Sequence, residues 1–137
     1  MTIASIAGGS TTASPSSLEG SFYDEESKAF WEGEGKVLTE NTVALDTLDG
    51  TTFNCVFFVG GFGTMLDFPF APSVDKVGRE VFENGGVVGA VCHGPIAFAN
   101  IKLSNGDLLI KGKGVAGFSN AEEAAMGLLD QLPEHEG

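Results

Sequence analysis

Cys55-Val56-Phe57-Phe58-Val59 is a continuous apolar run of strand length, closed by Gly60-Gly61-Phe62-Gly63. Nothing polar interrupts it, which predicts a strand buried on both faces of a parallel sheet. From Pro72 to Asn84, Val74, Val77 and Val81 recur at helical spacing, with Phe82 beside them and charges on the other side. This is the pattern of an amphipathic helix. The helix leads through Gly85-Gly86 into a second apolar run, Val87 to Val91. Strand, helix and strand in this order make a crossover unit whose strands run parallel. The loop 60–70 and the residues after Val91 then share one sheet edge. That edge, outside the carboxyl ends of the strands, is where open parallel sheets place their sites.

Outward from this unit the signals are shorter. Met1 to Ala7 reads as a short strand, followed by a small-residue loop over 8–17. Asp24 to Glu32 reads as a helix stopped by Gly33 and Gly35, and Lys36 to Thr52 as irregular chain with one short strand or helix. Leu108-Leu109-Ile110 and Gly114 to Phe118 suggest a strand pair, and Ala121 to Leu132 a final helix. No internal repeat or low-complexity tract is present. The α/β order and a length of 137 residues suit one domain over 1–137 with a single core, and 42% hydrophobic content can fill it.

A net charge of −12 repels nucleic acid and anionic lipid, so neither is an expected partner. No apolar stretch is long enough to span a bilayer and the first residues do not resemble a signal peptide, so the expected location is cytoplasmic. Two cysteines do not make a disulfide framework. Cys55, inside the apolar run, is expected to be a small core residue.

Cys92 has a different setting. Ala90-Val91-Cys92-His93-Gly94 follows a strand and precedes the helix starter Pro95. A sharp strand-to-helix turn needs small residues two before and two after its nucleophile, and Ala90 and Gly94 meet that demand. Amides at the start of the following helix favour a thiolate and can hold a developing oxyanion. His93 is placed to act with the thiol, or else simply bonds the local backbone. His135, in the polar tail, is expected to be exposed and without a role.

A histidine acting with a thiol is commonly oriented by a carboxylate, and Ser119-Asn120-Ala121-Glu122-Glu123 offers two. Both also fit a capping box, as Ser119 with Glu122 or Asn120 with Glu123. One glutamate can cap while the other faces His93. The glycine loop 60–63 has neither the lysine of a phosphate loop nor a dinucleotide fingerprint. Its glycines either turn the chain or, through Gly61 N–H together with the amide of His93, face the sulfur as an anion hole. Phe62, Met65, Leu66, Phe68 and Phe70 either wall a small pocket or serve as core or partner surface.

Taken together, Val59-Gly60-Gly61-Phe62-Gly63-Thr64-Met65-Leu66-Asp67-Phe68-Pro69, then Ala90-Val91-Cys92-His93-Gly94-Pro95, then Gly117-Phe118-Ser119-Asn120-Ala121-Glu122-Glu123 resemble the ThiJ/PfpI superfamily, in its glutathione-independent glyoxalase and stress-chaperone branch. The resemblance implies a flavodoxin-like three-layer sandwich with a mainly parallel sheet. It implies Cys92 as nucleophile, His93 as its partner and Glu123 as the residue orienting His93. The implied reaction converts methylglyoxal to D-lactate, with no cofactor, metal or glutathione. Members carry a further strand and helix at each end, so this chain is expected to lack both units. The first strand supplies members with a proton-shuttling glutamate that no residue here matches. Phe62 stands where the family usually has histidine, and Leu66 where it has tryptophan.

The leading expectation is therefore a glyoxalase of lyase type with full or reduced activity, self-associating to cover the surface that a missing central strand would expose. The alternative is a non-catalytic holdase chaperone or a cysteine-based redox or stress sensor. A cysteine peptidase is weaker, because no surplus acid is evident for protonating an amine leaving group.

Overall fold

The computed structural model describes residues 1–20, 23–127 and 129, which fall into two compact units, residues 1–48 and residues from 49 onward. In the first unit the short strands β1 (Ala4–Ser5) and β2 (Val43–Ala44) pair in parallel, Ala4 opposite Val43. Ser5 Oγ and Thr42 Oγ1 lie 2.7 Å apart, and Thr42 Oγ1 donates to the Gly9 carbonyl at 2.7 Å. Between the strands run α1 (Glu25–Phe30) and α2 (Lys36–Glu40), joined by a wide turn, Trp31–Gly35, that kinks at Gly33. Asp24 caps α1 by accepting from Ser27 N–H at 2.8 Å. The helix expected over 24–32 is thus continued past its two glycines, and the stretch 36–52 contains both a helix and a strand.

The second unit holds the predicted crossover. β3 (Cys55–Phe58) and β4 (Val87–Ala90) are parallel, with Cys55 opposite Val87 and Phe58 opposite Ala90. Between them come α3 (Gly63–Asp67), a single turn Phe68–Phe70, and α4 (Pro72–Glu83). Pro72 suits the first turn of α4, where its missing N–H costs nothing. Val74, Val77 and Val81 form the buried face of α4, as their spacing predicts. Gly78 lies against Ile101, which is fully buried, and a methyl group at Gly78 would stand 2.5 Å from Ile101 Cδ1. Phe58 completes this core, edge-on to Phe68 at 5.7 Å and to Phe98 at 6.3 Å.

Three expectations are corrected. β3 is covered on one face only: Phe58 is buried, whereas Phe57 is 57% exposed and Val87, on the same face, 64%. The α4 helix covers the Val56–Phe58 side, and among the described residues nothing comparable covers the other. For that reason Cys55, which alternates onto the open face, is exposed and is no core residue. Nor do 108–110 and 114–118 form a strand pair. Leu108 pairs backward with Lys102 in one antiparallel bridge, around a tight turn with Gly106 at φ 86°. Asp107 N–H bonds Asn105 Oδ1 there at 2.9 Å, and the chain then turns again through Gly112 at φ 72°.

The last helix, α5 (Asn120–Met126), starts one residue before the predicted position and is closed by Gly127 at φ 69°. The expected continuation to Leu132 falls largely outside the described residues, as does His135.

Candidate active site

Cys92 sits two residues after β4 with φ 60°, the left-handed region that L-residues seldom adopt. This sharp reversal depends on its neighbours being small. A methyl group at Gly60 would come within 2.6 Å of Cys92 Cβ and 2.7 Å of the Val91 carbonyl oxygen. One at Gly94 would run into the Phe58 carbonyl oxygen. The two glycines let the ends of β3 and β4 close on each other and leave the Cys92 side chain exposed. The helix expected to start at Pro95 is a six-residue 3₁₀ helix, Gly94–Ala99. Its alignment of amides toward the sulfur is correspondingly shorter.

Cys92 Sγ lies 3.3 Å from His93 Nδ1. On the other side of the ring His93 Nε2 meets Glu123 Oε1, with the His93 side chain 9% and the Glu123 side chain 2% exposed. Since a carboxylate can only accept, Nε2 carries a hydrogen, and Nδ1 is left to take a proton from the thiol. The three side chains form a line from exposed sulfur to buried carboxylate. Glu123 Oε2 is buried with no hydrogen-bond partner among the described residues.

The start of α5 decides between the two glutamates. Ser119 Oγ accepts from Glu122 N–H at 3.3 Å, and Glu122 Oε2 accepts from Ser119 N–H at 2.8 Å and from its hydroxyl at 2.7 Å. This is a capping box. The Ser119 hydroxyl and amide hold the Glu122 carboxyl below its usual range. Glu122 is therefore committed to the cap, and Glu123, one position on, points inward to His93.

Phe62 and Phe118 lie against the imidazole. Their ring centroids stand 4.7 and 5.2 Å from it, at interplanar angles of 37° and 28°. The part played by Phe118 was missed in the sequence because Gly114 to Phe118 read as a strand; its only signal was its place directly before the cap. Gly61, at φ 103°, follows the glycine that touches Cys92. Met65 and Leu66 continue from Phe62 along α3, Leu66 being 66% exposed. Among the described residues no group of three or more His, Cys, Asp or Glu side chains is placed to hold a metal ion.

The sequence pattern of the DJ-1/PfpI family matches residues 10–124, across all three segments of the site. The chain belongs to the DJ-1/PfpI family. Similar members include the glutathione-independent glyoxalase hsp3102 of Schizosaccharomyces pombe, 34% identical over 118 residues, which cover 84% of this chain and 47% of the relative. Glyoxalase 3 of Candida albicans is 38% identical over 98 residues, 71% of this chain and 42% of the relative.

Among solved structures, Rapid Encystment Protein 24 KDa of Francisella tularensis superposes with a TM-score of 0.84 at 34% identity, over 96% of this chain and 58% of that one. Glyoxalase III from Candida albicans gives 0.77 at 34% identity, over 85% and 51%. The fold is accordingly the flavodoxin-like α/β sandwich expected, and the chain spans about half the length of the curated relatives it matches.

Proposed function

We propose that this DJ-1/PfpI chain is a glutathione-independent glyoxalase acting on methylglyoxal. The observation that carries the reading is the line Cys92–His93–Glu123, joined to relatives bearing that activity in their names. His93 Nδ1 takes the thiol proton while Glu123 holds the ring. The thiolate attacks the aldehyde carbon, the carbonyl π pair moves to oxygen, and protonation gives a hemithioacetal. Removing the C–H proton from that carbon and returning one to the neighbouring carbon, through an enediol, gives a lactoyl thioester. Water then cleaves the C–S bond, releasing D-lactate and the thiol, so carbon is oxidised and reduced within one molecule. The amides of Gly61 and His93 are proposed to face the developing oxyanion, with Phe62, Met65 and Leu66 around the substrate. The family resemblance assigns the carbon-to-carbon proton transfer to a glutamate with no counterpart in this sequence.

Incubation with methylglyoxal without glutathione, assayed for D-lactate, tests this. The wild-type chain is expected to form D-lactate, Cys92→Ala none, and Glu123→Gln about a hundredfold less. No D-lactate from folded wild-type chain refutes the enzyme reading.

The same proposal takes residues 1–137 as one domain of lyase type, cytoplasmic, in a self-associated form. Self-association is supported by the open sheet face, where Phe57 and Val87 are more than half exposed, as are Val59 and Val91 just past the strand ends. A second reading, a holdase for unfolded clients, is favoured by that face together with Leu66 and Phe70, 66% and 70% exposed. It requires Cys92→Ala to protect a heat-labile client as well as wild type does.

A further inference from the structure

The two hydrogen-bonding contacts of His93 fix only part of its geometry. Contacts through Nδ1 to Cys92 and through Nε2 to Glu123 hold the two nitrogens along one line, but leave the ring free to rock about that line. Rocking carries the Nδ1 lone pair away from the sulfur, and hydrogen bonds weaken steeply with misalignment. Two aromatic rings oppose this motion. Phe62, from the loop after β3, stands 4.7 Å from the imidazole centroid, and Phe118, from the segment before α5, stands 5.2 Å from it. Both lie at shallow angles to the imidazole plane, 37° and 28°, so their contact bears on the out-of-plane motion that the nitrogens leave open.

Each phenylalanine is tied to one end of the triad. Phe62 lies two residues after Gly60, where a methyl group would meet Cys92, and Phe118 directly precedes the Ser119 cap of the helix carrying Glu123. We propose that Phe62 and Phe118 hold the His93 plane in line with the Cys92 sulfur, a positioning role that acts through His93 and is separate from the place of Phe62 beside the substrate. This rests on the pairing of Cys92 with His93 in the proposed glyoxalase. Its probe is iodoacetamide, not methylglyoxal, so a missing aromatic effect and missing D-lactate are separate results.

In the test, the Cys92 sulfur displaces iodide and forms an S–C bond, and mass spectrometry follows Cys92 and Cys55 in the same sample. Phe62→Leu and Phe118→Leu are each expected to slow Cys92 alkylation about two- to tenfold, the range that aromatic pairing supports, with Cys55 unchanged. Phe62→Tyr is expected to restore most of the rate. In the wild-type NMR spectrum the His93 ring protons, assigned by their loss in His93→Gln, are expected upfield of their positions in both leucine variants. Wild-type Cys92 rates in a folded leucine variant, or Phe62→Tyr no faster than Phe62→Leu, would overturn the proposal. If neither leucine variant folds, wild-type ring protons at the positions of free histidine overturn it equally.

Discussion

Cys92 is the one described non-glycine residue with a positive φ, at 60°. A side chain in the left-handed region costs on the order of 1–2 kcal/mol, because Cβ crowds the following carbonyl oxygen. Glycine escapes that cost but loses up to about 1 kcal/mol through the greater freedom of its unfolded chain. Cys92→Gly should therefore raise Tm by roughly 2–4 °C while removing the proposed nucleophile. Differential scanning calorimetry measures this, and an unchanged or lower Tm would show that the elbow is relaxed. At this scale the sequence was informative where a residue had to be small or reactive: Ala90, Cys92 and Gly94 read as an elbow without any structure. It was uninformative about rings. Nothing in Phe118 itself distinguishes packing on an imidazole from packing in a strand, since the partner lies 25 positions away in the chain.

Among elements, α4 was legible because three valines at helical spacing leave one burial solution, and β3 with β4 because a crossover helix separates them. The stretch after Ile101 was not. Its apolar run Leu108-Leu109-Ile110 follows Gly106 and the hydrogen bonds of Asn105 and Asp107, which fold the chain back so that Leu108 meets Lys102 before a strand can extend. That turn is also tied to α4. Glu83 accepts from the Ser104 amide at 2.6 Å and from its hydroxyl at 2.7 Å, and these bonds hold its carboxyl below the usual range. A depressed carboxylate stabilises the fold above its unfolded pKa, about 4.3 for Glu, and loses that contribution as pH falls through the lower folded value. Glu83→Gln should thus be less stable than wild type at pH 7, with the gap closing progressively below pH of about 4. Urea midpoints across that range check it; a gap independent of pH would mean that the charge is immaterial to the contact.

At the scale of the molecule, the open face of the β3–β4 pair is an exposed apolar surface. Cys55 and Phe57 stand opposite Val87 and Gly89 in register, and none of these four is charged. Two copies of a chain with net charge −12 can meet there without opposing their carboxylates. Sedimentation velocity should show dimers of wild type that dissociate in Phe57→Glu; equal masses at all concentrations would remove this face as the contact. The apolar run itself was legible in the sequence, but which of its faces stays open was not, because that depends on elements that the run does not encode.

The capping box at the start of α5 has a bearing beyond helix stability. Successive residues on a helix are turned by about 100°, and two overlapping caps are written into 119–123, one frame apart. Choosing Ser119 over Asn120 sets the angular phase of the whole helix. In the chosen frame Glu122 is spent on the cap and Glu123 is aimed at His93. In the other frame Glu123 would be the cap, and the imidazole would lose its carboxylate. A hydroxyl that touches neither sulfur nor imidazole thereby acts as the index mark from which the triad is dialled.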